Sequence, residues 1–124
     1  GALTGTYKII NRNKFKKIVP QKTSKKIMII SRSHSTEIEK KKLMKKYKVK
    51  KILFLGSSLK FCYLAEGKAH IYPRSGTTYE WDVAAGHAIL KAAGGNVRMM
   101  DKSELKYGKK KEKFLNPDFI ATNF

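Results

Sequence analysis

From Lys26 onward, short apolar runs alternate with longer amphipathic or small-residue stretches, and no other feature narrows the possible folds as much. Ile27, Met28, Ile29 and Ile30 form a continuous apolar run of strand length, suited to a strand buried on both faces. After the polar stretch Ser31 to Ser35, Ser35 or Thr36 can cap a helix with Glu37 and Glu39 in its first turn, where the helix dipole favours negative charge. That helix is expected to reach about Tyr47, with Ile38, Leu43, Met44 and Tyr47 as its apolar stripe and lysines over the rest. Lys51 to Leu55 reads as a second buried strand, ended by Gly56-Ser57-Ser58. Leu59 to Gly67 reads as a helix with Leu59, Cys62, Tyr63 and Leu64 inward and Gly67 closing its C-terminus. His70 to Tyr72 is a third strand, Pro73 to Thr78 a loop, and Trp81 to Ala93 a small-residue helix stopped by Gly94-Gly95. Val97 to Met100 is a fourth strand, Asp101 to Lys113 a polar excursion, and Phe119 to Ala121 a last strand after Asn116-Pro117. This alternation predicts the α/β class: a layered mixed sheet flanked by helices, with right-handed crossovers wherever neighbouring strands are parallel.

Residues 1–24 do not share the pattern. Tyr7, Ile9 and Ile10, then Phe15, Ile18 and Val19, suggest an edge strand or two with a basic connector, beginning abruptly as if cut from something longer. The expected division is a basic N-terminal remnant or connector over 1–24 and an α/β domain over 25–124, and 124 residues leave no room for a second domain. Of the 28 lysines and arginines, 17 lie in residues 1–51, and only Arg12, Arg32, Arg74 and Arg98 are arginine. A surface that reads bases or clamps phosphates draws on arginine forks and interleaved aromatics, so the net charge of +19 is read as solvated lysine faces and no specific nucleic-acid partner is expected. No apolar run approaches the roughly 18 residues that span a bilayer. The single cysteine, Cys62, excludes an internal disulfide and a cysteine-based zinc site. The compartment expected is the cytoplasm, with peripheral attachment at the inner membrane left open.

Ligands of α/β sheets gather where strands end and helices begin. Gly56 to Lys60 offers two hydroxyls, a helix N-terminus and a lysine within one turn; it lacks the spacing of a Walker loop, and Ser58 can equally be an ordinary helix cap. Asp82 is either a helix-capping carboxylate or one held on a rigid helix start to ligate a hard cation such as magnesium. Arg74, between Pro73 and Gly76, can clamp a phosphate or be an exposed loop arginine, and His34 can touch a ligand or be a plain loop histidine. His70 and His87 have no partners at metal-site spacing, and Cys62 is most simply a small buried hydrophobe.

In combination the segments are more specific. The ordered strings Ile-Ser-Arg-Ser-His (30–34), Gly-Ser-Ser-Leu-Lys-Phe-Cys (56–62), Ala-Glu-Gly-Lys-Ala (65–69), Ile-Tyr-Pro-Arg (71–74), Trp-Asp-Val-Ala-Ala-Gly-His-Ala (81–88), Ala-Gly-Gly (93–95) and Phe-Leu-Asn-Pro (114–117) resemble the C-terminal half of bacterial 3'(2'),5'-bisphosphate nucleotidases of the CysQ type. These belong to the inositol monophosphatase-like, lithium-sensitive, magnesium-dependent phosphatases. The resemblance covers about residues 25–124. It implies the C-terminal domain of that fold, Asp82 as a magnesium ligand, and Ser57, Lys60 and Arg74 lining the nucleotide site with His34 near the same substrate. The implied substrate is 3'-phosphoadenosine 5'-phosphate, hydrolysed to adenosine monophosphate and phosphate in sulfur metabolism.

One departure is large. The family's N-terminal half supplies an aspartate-proline-x-aspartate-glycine-threonine motif and an upstream glutamate that carry most metal ligands, and neither is present in these 124 residues. One carboxylate cannot fix magnesium ions, so the catalytic set is expected to be incomplete and the isolated chain inactive. Its missing half, as a companion chain, or self-association would cover the surface left open. The alternatives are an inositol monophosphatase or other sugar phosphatase of the same superfamily and, from another class, a lysine-rich module binding nucleic acid or anionic membrane.

Overall fold

The computed structural model describes residues 5–19, 23–31 and 36–124. In chain order the elements are β1 (Thr6–Asn11), β2 (Lys14–Ile18), β3 (Lys26–Ile30), α1 (Glu37–Tyr47), β4 (Val49–Phe54), α2 (Leu59–Ala65), β5 (Ile71–Arg74), β6 (Thr78–Tyr79), α3 (Glu80–Ala92), β7 (Asn96–Met99), β8 (Leu115–Asn116) and β9 (Phe119–Thr122). Five strands form the central sheet in the order β4-β3-β5-β9-β7. β3 runs parallel to β4 and β5, whereas β9 is antiparallel to both β5 and β7. This is the mixed sheet expected, and helices cover both its faces. Alternate residues of β3 separate the two layers. Ile29 joins Phe61, Leu64, Val83 and Leu90 beneath α2 and α3. Met28 and Ile30 join Ile71 beneath Leu43, Met44 and Tyr47 of α1. Although last in the chain, β9 lies inside the sheet.

Local chemistry explains most boundaries. Thr36, not Ser35, caps α1: its hydroxyl accepts the Glu39 N–H at 3.3 Å while the Glu39 carboxylate accepts the Thr36 N–H at 3.1 Å. α1 ends on Lys48 in a left-handed conformation (φ 54°), and β4 starts at the next residue, earlier than the pattern suggested. Ile38 is 80% exposed rather than in the stripe, because the narrow strip formed by Leu43, Met44 and Tyr47 suffices to cover the sheet.

α2 differs more. Its buried residues are Lys60, Phe61, Leu64 and Ala65, and Leu59 is 54% exposed. The inward face is rotated by about one residue because Lys60 finds carbonyl partners inside and need not turn to water. Residues 6–18 form a two-stranded hairpin of their own rather than edges of the main sheet. The Thr6 hydroxyl ties the hairpin to Ile89 O of α3 at 2.7 Å, and Lys8 pairs with Glu66 at 2.8 Å. A second small pair, β6 with β8, arises where only loops were expected, setting Thr78 against Asn116 and Tyr79 against Leu115. Among the described residues no helix is long and apolar enough to cross a membrane.

Candidate functional site

Because β3, β4 and β5 are parallel, their carboxyl ends emerge at one edge of the sheet, and the residues that follow them converge there with the starts of α2 and α3. Between them lies a cavity of about 530 Å³ whose lining includes Ser31, Ser57, Lys60, Arg74, Thr77 and Asp82. Four of the five site residues expected from sequence are thus brought together. The fifth, His34, lies outside the described residues.

The turn after β4 is built around a buried ammonium. Ser57 takes a left-handed conformation (φ 59°), uncommon outside glycine, and Lys60 is only 2% exposed. Lys60 Nζ donates to Ser57 O at 2.8 Å and to Leu55 O at 3.1 Å, and lies 5.0 Å from the centroid of the Tyr72 ring. Ser58 makes no side-chain cap, contrary to the capping alternative; the Leu59 N–H instead reaches the Ser57 hydroxyl at 3.4 Å. Burial and, secondarily, the charge of Arg74 push the Lys60 pKa down. Arg74 ends β5 instead of lying in a loop. Its Nη2 donates to Thr77 O at 3.1 Å, and its buried Nε has no partner among the described residues.

Asp82 reconciles its two sequence readings in part. Its Oδ2 accepts the Tyr79 N–H at 2.8 Å, capping α3, and the residue also lines the cavity. It is the cavity's sole carboxylate among the described residues. Those residues hold no cluster of three or more His, Cys, Asp or Glu side chains, so they do not fit a magnesium ion by themselves. Sequence reasoning missed Glu80, whose carboxylate accepts the Gly108 and Lys109 N–H groups at 2.9 Å each and pairs with the Lys109 ammonium at 2.8 Å. These partners hold its pKa at about 2. They lie 28 and 29 residues away, and no local pattern points to them.

The other candidates are structural. His70 Nδ1 accepts the Ile27 N–H at 3.0 Å, and burial pushes its pKa down. His87 is buried against Tyr107. Burial raises the Cys62 thiol, opposite to what a reactive thiolate needs.

The sequence profile of the inositol monophosphatase family matches residues 2–123. The chain belongs to that family. Within it, similarity to CysQ proteins is pronounced. The chain is 47% identical over 108 residues to the 3'(2'),5'-bisphosphate nucleotidase CysQ of Buchnera aphidicola, an overlap covering 86% of this chain and 40% of that protein. Against the Escherichia coli K12 protein of the same name it is 45% identical over 93 residues, 75% of this chain and 37% of the other. The crystal structure of CysQ from Bacteroides thetaiotaomicron superposes with a TM-score of 0.72 at 39% identity, covering 89% of this chain and 42% of that one. An inositol monophosphatase structure from Thermotoga maritima, at 23% identity and a TM-score of 0.66 over 87% of this chain and 41% of that one, shares the family fold. The chain spans about two fifths of the length of these relatives.

Proposed function

We propose that this chain is the nucleotide-binding side of a magnesium-dependent 3'(2'),5'-bisphosphate nucleotidase that hydrolyses 3'-phosphoadenosine 5'-phosphate to adenosine monophosphate and inorganic phosphate. One observation supports this reading above the others. Lys60 and Arg74 line a single cavity as like charges that repel each other there, an effect second to burial in lowering the Lys60 pKa. A phosphate between them relieves that repulsion, and the Arg74 fork, with Nε unclaimed among the described residues, suits its oxygens. Ser57 adds a hydroxyl at the rim. The CysQ relatives supply the substrate class.

Binding and turnover separate in this reading. The described residues put one carboxylate, Asp82, in the cavity, and magnesium needs more anionic ligands than that. The isolated chain is therefore expected to bind the nucleotide without releasing phosphate. Isothermal titration with 3'-phosphoadenosine 5'-phosphate should give one site per chain, weakened about ten-fold or more by R74M, since a charge-assisted bidentate pair contributes roughly 1.5–3 kcal/mol. Tighter binding of inositol 1-phosphate would move the assignment to the sugar-phosphatase branch. Phosphate release by the isolated chain with magnesium would overturn the division of labour.

A further inference from the structure

Thr78 lines the same cavity as Lys60, Arg74 and Asp82, yet none of the roles above employs it. It is 9% exposed, and Asn116, its partner across the β6–β8 pair, is 8% exposed. Buried polar groups are costly unless hydrogen-bonded, so the direction of each bond around them carries information. The bonds begin at Lys109. Its ammonium donates to Glu80 Oε1 at 2.8 Å, to Lys106 O and to Asn116 Oδ1 at 3.3 Å, which uses all of its N–H groups. An ammonium accepts nothing, so the Asn116 atom facing it is the carbonyl oxygen, and the amide has one orientation. Asn116 Nδ2 then stands 3.4 Å from Thr78 Oγ1 and, being a donor only, makes that oxygen the acceptor. A hydroxyl that accepts on one side keeps its own O–H for another, and here an acceptor bound in the cavity can take it.

We infer that Thr78 is an anion-binding hydroxyl of this cavity, with Asn116 and Lys109 as positioning residues that turn its O–H toward the ligand. The inference rests on the phosphate reading above and deepens it by adding a neutral, directed donor to the two cations. The donors run head to tail from the Lys109 ammonium to the cavity, so each bond polarises the next and the open end is a hydrogen, the end that suits an anion. Lys109 cannot swing away easily: Glu80, which holds its ammonium, is itself fixed by the Gly108 and Lys109 N–H groups at 2.9 Å each. The antiparallel register of β6 and β8 keeps Thr78 opposite Asn116 through the backbone as well.

Isothermal titration with 3'-phosphoadenosine 5'-phosphate tests the donor. T78V removes the hydroxyl at nearly constant shape and T78A removes it with less bulk. Each should weaken binding about ten-fold, the scale of a hydrogen bond to a charged group, and T78S should restore most of the loss. N116L should weaken binding about three-fold in the unaltered chain but less than about 1.5-fold in T78V, because the amide acts through the hydroxyl. If R74M weakens the nucleotide while T78V and T78A do not, the hydroxyl is no ligand and the inference is overturned, with the phosphate site intact. An N116L effect of equal size in both backgrounds would overturn the positioning role. If the unaltered chain does not bind the nucleotide, the phosphate reading fails and this inference with it.

Discussion

His87 shows how a single side chain can be fixed by partners remote in sequence. Its Nδ1 lies 2.7 Å from the Tyr107 hydroxyl, and its buried Nε2 has no partner among the described residues. Burial pushes the histidine down and lifts Tyr107 to about 12, so at neutral pH the phenol keeps its proton and donates to an unprotonated Nδ1. Glu104 acts on the ring in the opposite direction and Lys91 in the same one, both less than burial does. His70 is depressed in the same direction. With folded pKa values below the unfolded value of about 6.5, both histidines protonate more readily in the unfolded chain. Their contribution is therefore complete above that pH and lost as pH falls below it. Urea titrations should show unfolding free energy declining between about pH 7.5 and 5.5, with a shallower decline in H87L, and Y107F should cost about 1–2 kcal/mol at pH 7.5 by leaving Nδ1 unpaired. A pH-independent stability across that window would contradict this. Sequence reasoning gave His87 no partner at metal-site spacing and left it between a surface and a packing role without naming Tyr107, because that partner sits 20 residues on in what looks like a polar excursion. Lys60 was legible as a candidate for the cavity it lines but not as a buried staple, since its acceptors are backbone carbonyls that every sequence possesses.

Among the elements, α2 packs against α3, and Gly86 permits the close approach. A Cβ at this position would come within 2.3 Å of Phe61 Cδ2 and 2.9 Å of Phe61 Cβ. Phe61 cannot yield, being buried between Tyr72 and Phe119 at centroid distances of 5.3 and 6.1 Å. Replacing a helical glycine by alanine ordinarily gains up to about 1 kcal/mol, while overpacking costs about 1–3 kcal/mol. G86A should therefore be destabilising by about 1–2 kcal/mol in thermal unfolding, and F61L should recover part of that in the double variant. Equal or higher stability of G86A would mean that the helices separate freely. α3 could be read almost to the residue because Gly94-Gly95 punctuates its end. α2 could be located but not oriented, since seven residues give too little periodicity to outvote a lysine on the inner face. The β6–β8 pair was invisible for a related reason: two-residue strands carry no alternation, and tertiary contacts alone define them.

At the scale of the whole molecule, the +19 charge is the loudest feature and the least informative about the cavity. Much of it coats α1 and the hairpin, where Lys14, Lys16, Lys17, Lys41, Lys42 and Lys45 all face solvent. Such a coat binds any polyanion by releasing counterions. Two duplex DNAs of unrelated sequence should bind with equal affinity in fluorescence anisotropy, falling about 10³-fold or more between 50 and 200 mM salt. A clear preference for one sequence would instead mark a dedicated nucleic-acid surface. The strand order carries a different consequence. β9 pairs with β5 on one side and β7 on the other, and those two strands do not pair with each other. A chain emerging from the ribosome therefore has no finished sheet until residues 119–122 are free. Before that, β7 has no neighbouring strand in the central sheet, and the core around Phe119 and Ala121 is open. The central sheet is thus completed only after synthesis has passed β9 rather than progressively.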